Sequence, residues 1–134
     1  MLTEAARAEI IQYHNTGCYL NIDVTNDPTK IFWKDFLWKP KYNMVGIFEG
    51  SYYYARGVYR SEIESCMYNY VDYFNAISRA IIVQRIMMYA GEPFSLEKFM
   101  EIDIIEPPTP TKSNFVPILP PRLPSPAMWM NEVK

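Results

Sequence analysis

The sequence predicts an α+β fold, a mainly helical lobe with a few short strands, followed by an extended proline-rich tail. Three observations predict it: several stretches carry helical apolar spacing between caps, residues 44 to 60 read as β-rich, and the composition changes at residue 106. A chain of 134 residues with 49% hydrophobic and 21% charged residues is enough for one domain with one core.

The first predicted helix covers residues 3 to 15. Thr3 can cap its start, and Gly17 can adopt the left-handed conformation that ends a helix. Its apolar positions share one face, which two further residues widen: Ala6, Ile10 and Tyr13, with Ala5 and Ile11. The following "YLNIDVT" alternates enough to predict a short strand.

A second, short helix is predicted over "NDPTKIFWKDFL", residues 26 to 37. Asp27 is a suitable cap, Pro28 suits the first helical position, and Pro40 would end the helix. The apolar side of this helix would consist of Ile31, Phe32, Phe36 and Leu37.

Residues 44 to 60 are expected to form short strands, with glycines at positions 46, 50 and 57 allowing turns or bulges. The strongest helix signal follows, from residue 75 to 90, with Asn75 as its cap and Gly91 as its stop. Because it contains few polar residues, this helix is expected to be buried on most sides. Ser95 then caps a last helix whose inner face holds Leu96, Phe99 and Met100.

From Glu106 onward the sequence holds eight of the eleven prolines, which predicts an extended segment rather than helix or strand. The predicted organisation is therefore a lobe over residues 1–105 and a tail over residues 106–134. Residues 117 to 122, "PILPPR", match the pattern that SH3-type grooves bind. Alternatively, the tail packs over its own domain through Phe115, Ile118, Leu119 and Trp129.

Charge and composition argue against several function classes. The net charge is −2 without a basic stripe, so nucleic-acid binding lacks its usual electrostatic signature. No apolar run is long enough for a membrane span, and no export signal is present in the sequence as given. Cys18 and Cys66 could form at most one bridge, and their redox state stays open.

Catalytic chemistry is also hard to build from these residues. His14 is the single histidine, and a metal site built by this chain alone is not expected. There is no phosphate-binding glycine loop and no serine nucleophile elbow. The acidic pair Glu62 and Glu64 is interpreted as two solvated charges of a turn.

Two long segments resemble a known family. "GIFEGSYYYARGVYRSEIESCMYN" and "FNAISRAIIVQRIMMYAGEPFSLEKFMEID" are similar to the C-terminal half of the IgA-peptidase family of zinc metallopeptidases, and "GCYLNIDVTNDPTKIFWKDFL" fits upstream of them. The resemblance covers residues 17 to 103. It implies a metzincin-like C-terminal subdomain. In metzincins a helix with HExxH-type ligands binds zinc, a glutamate activates water, and a Met-turn lies beneath the metal.

By this resemblance "SCMYN" is the Met-turn and Met67 is its methionine; without it, Met67 would be an ordinary core methionine. Many metzincins have tyrosine two residues after the methionine, where this chain has Asn69. The resemblance also implies a substrate cleft, for which the candidates are Tyr59, Arg60, Tyr68 and Asn69. Arg60 could bind a substrate carboxylate or carbonyl, or form an ion pair with Glu62 or Glu64.

The sequence departs from the family because it contains no HExxH motif, so neither zinc ligands nor the general base can be assigned to it. Zinc is implied for the full-length family member, but none is expected to bind this chain alone. The first hypothesis is the C-terminal part of a zinc-dependent peptidase acting on protein or peptide, inactive alone. The alternative is a non-catalytic, shortened relative that serves as a binding or structural module.

Two further expectations concern partners and location. Without the upstream half, apolar surface would be exposed, which predicts a homodimer or poor solubility. The family resemblance implies a secreted or cell-envelope bacterial protein, whereas the residues themselves do not indicate a compartment.

Overall fold

A computed structural model describes residues 1–66 and 71–108 of the chain. In chain order it contains α1 (Glu4–Asn15), β1 (Ile22–Asp23), two short 3-10 helices, β2 (Phe48–Ser51), β3 (Tyr54–Arg60), α2 (Ala76–Ala90) and α3 (Leu96–Ile102). Most of the predicted proline-rich tail, from residue 109 onward, lies outside the described residues.

The three strands form one antiparallel sheet in the order β1-β3-β2. Arg60 of β3 lies between Ile22 of β1 and Phe48 of β2, and the register shifts by a bulge between Glu49 and Ser51. Together with the helices, this sheet confirms the α+β class and the strands predicted between residues 44 and 60.

The predicted helix ends are confirmed at α1. The Thr3 side chain accepts a hydrogen bond from the Ala6 amide at 3.2 Å, and Gly17 has a φ of 76° after the helix ends. The buried face is narrower than predicted, because only Ile10 is buried, whereas Ile11 and Tyr13 are exposed.

Helices α2 and α3 also begin at their predicted caps. Asn75 Oδ1 accepts from the Ser78 amide at 2.8 Å, and Ser95 Oγ accepts from the Lys98 amide at 3.4 Å. Gly91 ends α2 with a φ of 73°. Cap residues therefore identified both helices from the sequence.

The predicted helix over residues 26 to 37 is wrong. Asp27 does cap a turn, with its carbonyl accepting from Lys30 and Ile31, but the Phe32 amide donates to Asp23 Oδ2 at 2.9 Å. In a continuing helix that amide would donate to the carbonyl four residues earlier. The chain instead forms turns and 3-10 helices at Lys34–Phe36 and Pro40–Tyr42, and Pro40 begins an element rather than ending one.

Two hydrophobic clusters make the core. The larger, which joins the 3-10 region to α2 and α3, includes Ile31, Trp33, Phe36, Ile77 and Phe99. The smaller joins α1 to the sheet through Ile10, Ile22, Val24 and Val58. Phe32 was predicted to be apolar core but is 46% exposed; Trp33 is buried instead and donates to the Gly46 carbonyl at 2.8 Å.

The expectation that α2 is buried on most sides is wrong. Its buried residues are Ala76, Ile77 and Ala80, all near its start. Farther along, Ile82, Ile86 and Tyr89 are exposed by 43%, 59% and 79%. These three residues, which we call the apolar ridge, lie on one helical face opposite Ala80. Across the described part of the chain, no helix has the length and apolar character needed to cross a bilayer.

Candidate functional site

The predicted Met-turn lies only partly within the described structure. Met67, Tyr68 and Asn69 fall outside the described residues, whereas both flanks are described. The Cys66 amide donates to the Tyr73 carbonyl at 2.7 Å, and the Tyr73 amide donates to the Val71 carbonyl at 2.7 Å. The chain entering the predicted turn is therefore hydrogen-bonded to the chain leaving it.

Glu62 is buried before this turn, which corrects its interpretation as a solvated charge. The residue is only 3% exposed. One carboxylate oxygen accepts from the Tyr73 hydroxyl at 2.7 Å, and the other accepts from the Ala76 amide at 2.6 Å. Because Ala76 is the first residue of α2, the carboxylate satisfies a free amide at the positive end of the helix dipole. Glu64 is half-buried.

A second buried carboxylate lies after α3 and is paired with an arginine of α2. Arg79 donates two hydrogen bonds to Asp103, at 3.0 and 2.7 Å, in the bidentate arrangement. Asp103 also accepts from the Tyr42 hydroxyl at 3.0 Å. The arginine side chain is 11% exposed and the aspartate 3%. This ion pair is therefore shielded from water and from salt screening.

Arg79 connects the two carboxylate sites. Its guanidinium carbon lies 5.4 Å from the centre of the Tyr73 ring, and it donates to the Phe74 carbonyl at 2.5 Å. We call the connected set Glu62, Tyr73, Arg79, Asp103 and Tyr42 the polar platform. It links the start of the predicted turn, its end, the start of α2 and the end of α3.

Burial and hydrogen bonding shift the pKa values of Glu62, Tyr73 and Arg79. Burial raises the pKa of Glu62 although its hydrogen bonds from Tyr73 and Ala76 act in the opposite direction. Burial, with Glu62 as its acceptor, raises the pKa of Tyr73 to about 12. Burial alone would lower the pKa of Arg79, but its bonds to Asp103 and Tyr73 raise it. Tyr73 and Arg79 therefore keep their protons at neutral pH and serve as donors.

The two described cleft candidates lie at the end of β3. Tyr59 is half-buried and packs against the larger core cluster. Arg60 Nη1 donates to the Gly50 carbonyl across the sheet. Ser61 follows and is fully buried, and its carbonyl accepts from the Gly46 amide at 2.8 Å. Tyr59 and Arg60 are therefore the last two residues of β3, and the platform residue Glu62 follows Arg60 by two positions.

Metal-binding and thiol residues are not gathered at this site. Within residues 1–66 and 71–108 no group of three or more His, Cys, Asp and Glu side chains could hold a metal ion. His14 bonds through Nε2 to the Tyr19 carbonyl at 3.2 Å near the end of α1. Cys18 and Cys66 are both free thiols.

Sequence reasoning missed the polar platform as a unit. Arg79 and Asp103 are 24 residues apart, and Tyr42 and Asp103 are 61 apart, so no local spacing reports their contact. Glu62 precedes Ala76 by 14 residues, so no local rule pairs its carboxylate with the start of α2 either.

Comparisons with known proteins do not identify a relative. No family model matches this chain, and the curated proteins and solved structures compared with it gave no significant match.

Proposed function

We propose that this chain is the C-terminal part of a zinc-dependent, metzincin-like peptidase of the IgA-peptidase family, with Met67 in its Met-turn. The observation that supports the proposal is the polar platform on both sides of residues 67–70. A Met-turn has to be held at a fixed distance from metal ligands that come from elsewhere in the fold. A buried bidentate ion pair and a buried helix-capping carboxylate are suited to that, since both fix geometry.

In this proposal the chain positions groups and does not itself supply the metal site. The described residues do not fit a zinc ligand set, so no catalytic step is assigned to them. Met67 would pack beneath the ligands contributed by an upstream segment. Tyr59, Arg60, Tyr68 and Asn69 would line the substrate side of the cleft, where peptide carbonyls or carboxylates would meet them.

The test uses the reading frame immediately upstream of Met1. We expect it to continue into a helix with an HExxH motif, and the joined protein to bind about one zinc ion and cleave peptides. The chain alone should contain far less zinc by elemental mass spectrometry. An upstream frame without the motif, or about one tightly bound zinc per isolated chain, would contradict the proposal.

A substitution in the joined protein tests the role of Met67 itself. We expect Met67→Leu to lower zinc affinity and kcat, because a less adaptable side chain would pack beneath the ligands. Met44→Leu is the matched control, since Met44 is a half-buried methionine packed on the larger core cluster. Equal effects of both substitutions on zinc affinity would show that Met67 has only a packing role.

A second candidate function is a non-catalytic binding or structural module, and the apolar ridge supports it. Exposed Ile82, Ile86 and Tyr89 present a continuous apolar face on a helix that is otherwise well anchored. A genuine translation start at Met1, together with full solubility and no zinc, would favour this module over the peptidase.

A further inference from the structure

An open groove runs between the C-terminal part of α2 and α3. Its volume is about 470 Å³, and its apolar walls consist of Val83, Met87, Pro93, Phe94, Phe99 and Ile102. Glu92, Lys98 and Glu101 supply charged groups to the same groove. It lies beside the apolar ridge but uses other residues of α2, so the two surfaces are separate.

We propose that the chain's own proline-rich tail occupies this groove, with residues 115–124 as the docking segment. The proposal does not depend on the peptidase assignment. Ile102 is both a wall of the groove and the last residue of α3. The Ile105 carbonyl accepts a hydrogen bond from Arg79 at 3.4 Å, so the reach of the tail is counted from residue 106. An extended proline-rich chain advances about 3.1 Å per residue, so residues 106–115 can span roughly 30 Å. That exceeds the length of α3, which is about 10 Å.

The apolar residues of the docking segment fit the groove walls. Polyproline II has three residues per turn, so Phe115, Ile118 and Pro121 would lie on one face of an extended segment. Grooves that bind such segments are lined by aromatic side chains, and half-buried Phe94 provides one here, whereas Phe99 is 4% exposed and contributes little surface. Met87 adds a side chain that adapts its shape to its neighbours.

Charge favours the tail over a second copy of the lobe. Residues 109–134 contain three basic residues, Lys112, Arg122 and Lys134, and one acidic residue, Glu132. The groove presents Glu92 and Glu101 against the single base Lys98. Arg122 follows Pro121 directly, where it can meet one of these carboxylates. Tethering raises the local concentration of the tail to the millimolar range, so even weak docking would be populated.

Site-specific photocrosslinking in the full chain tests this docking. A benzophenone amino acid replaces Lys98 in the groove, or the exposed Lys34 in the first 3-10 helix as a control. An equal mixture of ¹⁴N- and ¹⁵N-labelled protein distinguishes bonds within one chain from bonds between chains. We expect the probe at Lys98 to join residues 109–134 of its own chain, with a yield roughly tenfold above that from Lys34.

Two double variants of the tail test whether the crosslinking yield depends on the proposed docking residues. Phe115→Asp with Ile118→Asp should lower the yield from Lys98 roughly tenfold, because both apolar anchors are lost. Ser113→Asp with Ser125→Asp adds the same charge without removing an apolar group and should retain more of the yield.

Three results would overturn the proposal. The first is the absence of crosslinks from Lys98 to residues 109–134, as expected if the tail serves only an outside SH3-type partner. The second is crosslinks exclusively between differently labelled chains, which would assign the groove to a second copy. The third is an equal yield from both anchor and serine variants.

Discussion

The two halves of α2 differ in what surrounds them, although both are apolar in sequence. Residues 76–80 contain three buried residues, receive a carboxylate cap from Glu62 and carry the arginine that pairs with Asp103. Residues 81–90 carry the exposed apolar ridge. One helix therefore has an anchored end that stabilises the fold and an apolar free end that is available for contact.

The first half of α2 therefore contributes to the stability of the fold, and the second half presents a surface for binding. Substitutions in the first half should destabilise the fold, whereas substitutions in the second half should change what the chain associates with. In the proposed peptidase, the anchored half is the part of α2 that follows the predicted Met-turn.

The largest effect is expected from breaking the buried ion pair with Arg79→Met. The substitution removes both guanidinium hydrogen bonds from the buried Asp103 carboxylate and leaves it the hydroxyl of Tyr42 as a donor. Removing one partner of a buried pair costs about 3–5 kcal/mol. Chemical denaturation should show this loss in the free energy of unfolding.

The exposed ion pair between Lys30 and Asp27 provides the control for that experiment. Its atoms lie 3.6 Å apart, and the lysine side chain is 76% exposed. Lys30→Met should therefore cost at most about 0.5 kcal/mol. Similar costs for the two variants would mean that the Arg79 pair does not anchor the first half of α2.

The next largest effect comes from comparing Ile77→Ala with Ile86→Ala, the same change at the two ends of one helix. Ile77 is 2% exposed and Ile86 is 59% exposed. Truncating the buried residue should cost about 2–5 kcal/mol, since it removes packing and leaves a cavity. The exposed one should change stability by no more than about 0.5 kcal/mol. A comparable loss at Ile86 would show that the ridge is covered.

The contrast between the halves also explains which features the sequence could predict. Caps and stops are local, so Thr3, Asn75, Gly91 and Ser95 were sufficient to locate three helices. Burial is not local. The run from Ile81 to Met88 predicted a buried helix, but the described lobe packs on only one of its sides.

Long-range hydrogen bonds account for the other differences. The Asp23 carboxylate accepts a hydrogen bond from the Phe32 amide, which interrupts the helix that Asp27 and Pro28 would otherwise begin. Likewise, Glu62 is buried because Tyr73 and Ala76, which follow the turn, donate hydrogen bonds to its carboxylate. A spacing rule within one segment carries no information about either contact. Met67, Tyr68 and Asn69 remain predictions because they lie outside the described residues.

A smaller effect is expected from pH at Glu62. Burial raises the pKa of this carboxyl in the folded state above its ordinary value of 4.5. The folded state then binds the proton more tightly than the unfolded state, so stability from this group is greatest below the ordinary pKa. It is lost as pH rises through the raised folded pKa. Relative to Glu62→Gln, the wild-type protein should therefore lose stability as pH rises above the ordinary pKa of 4.5.

The control for this titration is Glu97→Gln, which removes the same charge from an exposed position in α3. Thermal unfolding of the three proteins across the pH range provides the measurement. If the stability of the wild-type protein relative to Glu62→Gln instead increased with pH, the prediction would be wrong. Such a result would mean that folding stabilises the charged carboxylate rather than the protonated one.

The smallest effect on folding, and the sharpest on association, is expected at the apolar ridge. Ile82→Lys with Ile86→Lys should change the free energy of unfolding by no more than about 0.5 kcal/mol, because both side chains already face solvent. We expect the isolated chain to dimerise through this face and the same variant to remain monomeric in sedimentation velocity, since it places two charges on the apolar face. Gln12→Lys with Gln84→Lys adds equal charge at exposed positions away from the ridge and should leave the dimer intact. A wild-type chain that is monomeric at every concentration would remove the ridge as a self-association surface, and its exposed isoleucines would then require cover by another segment or partner.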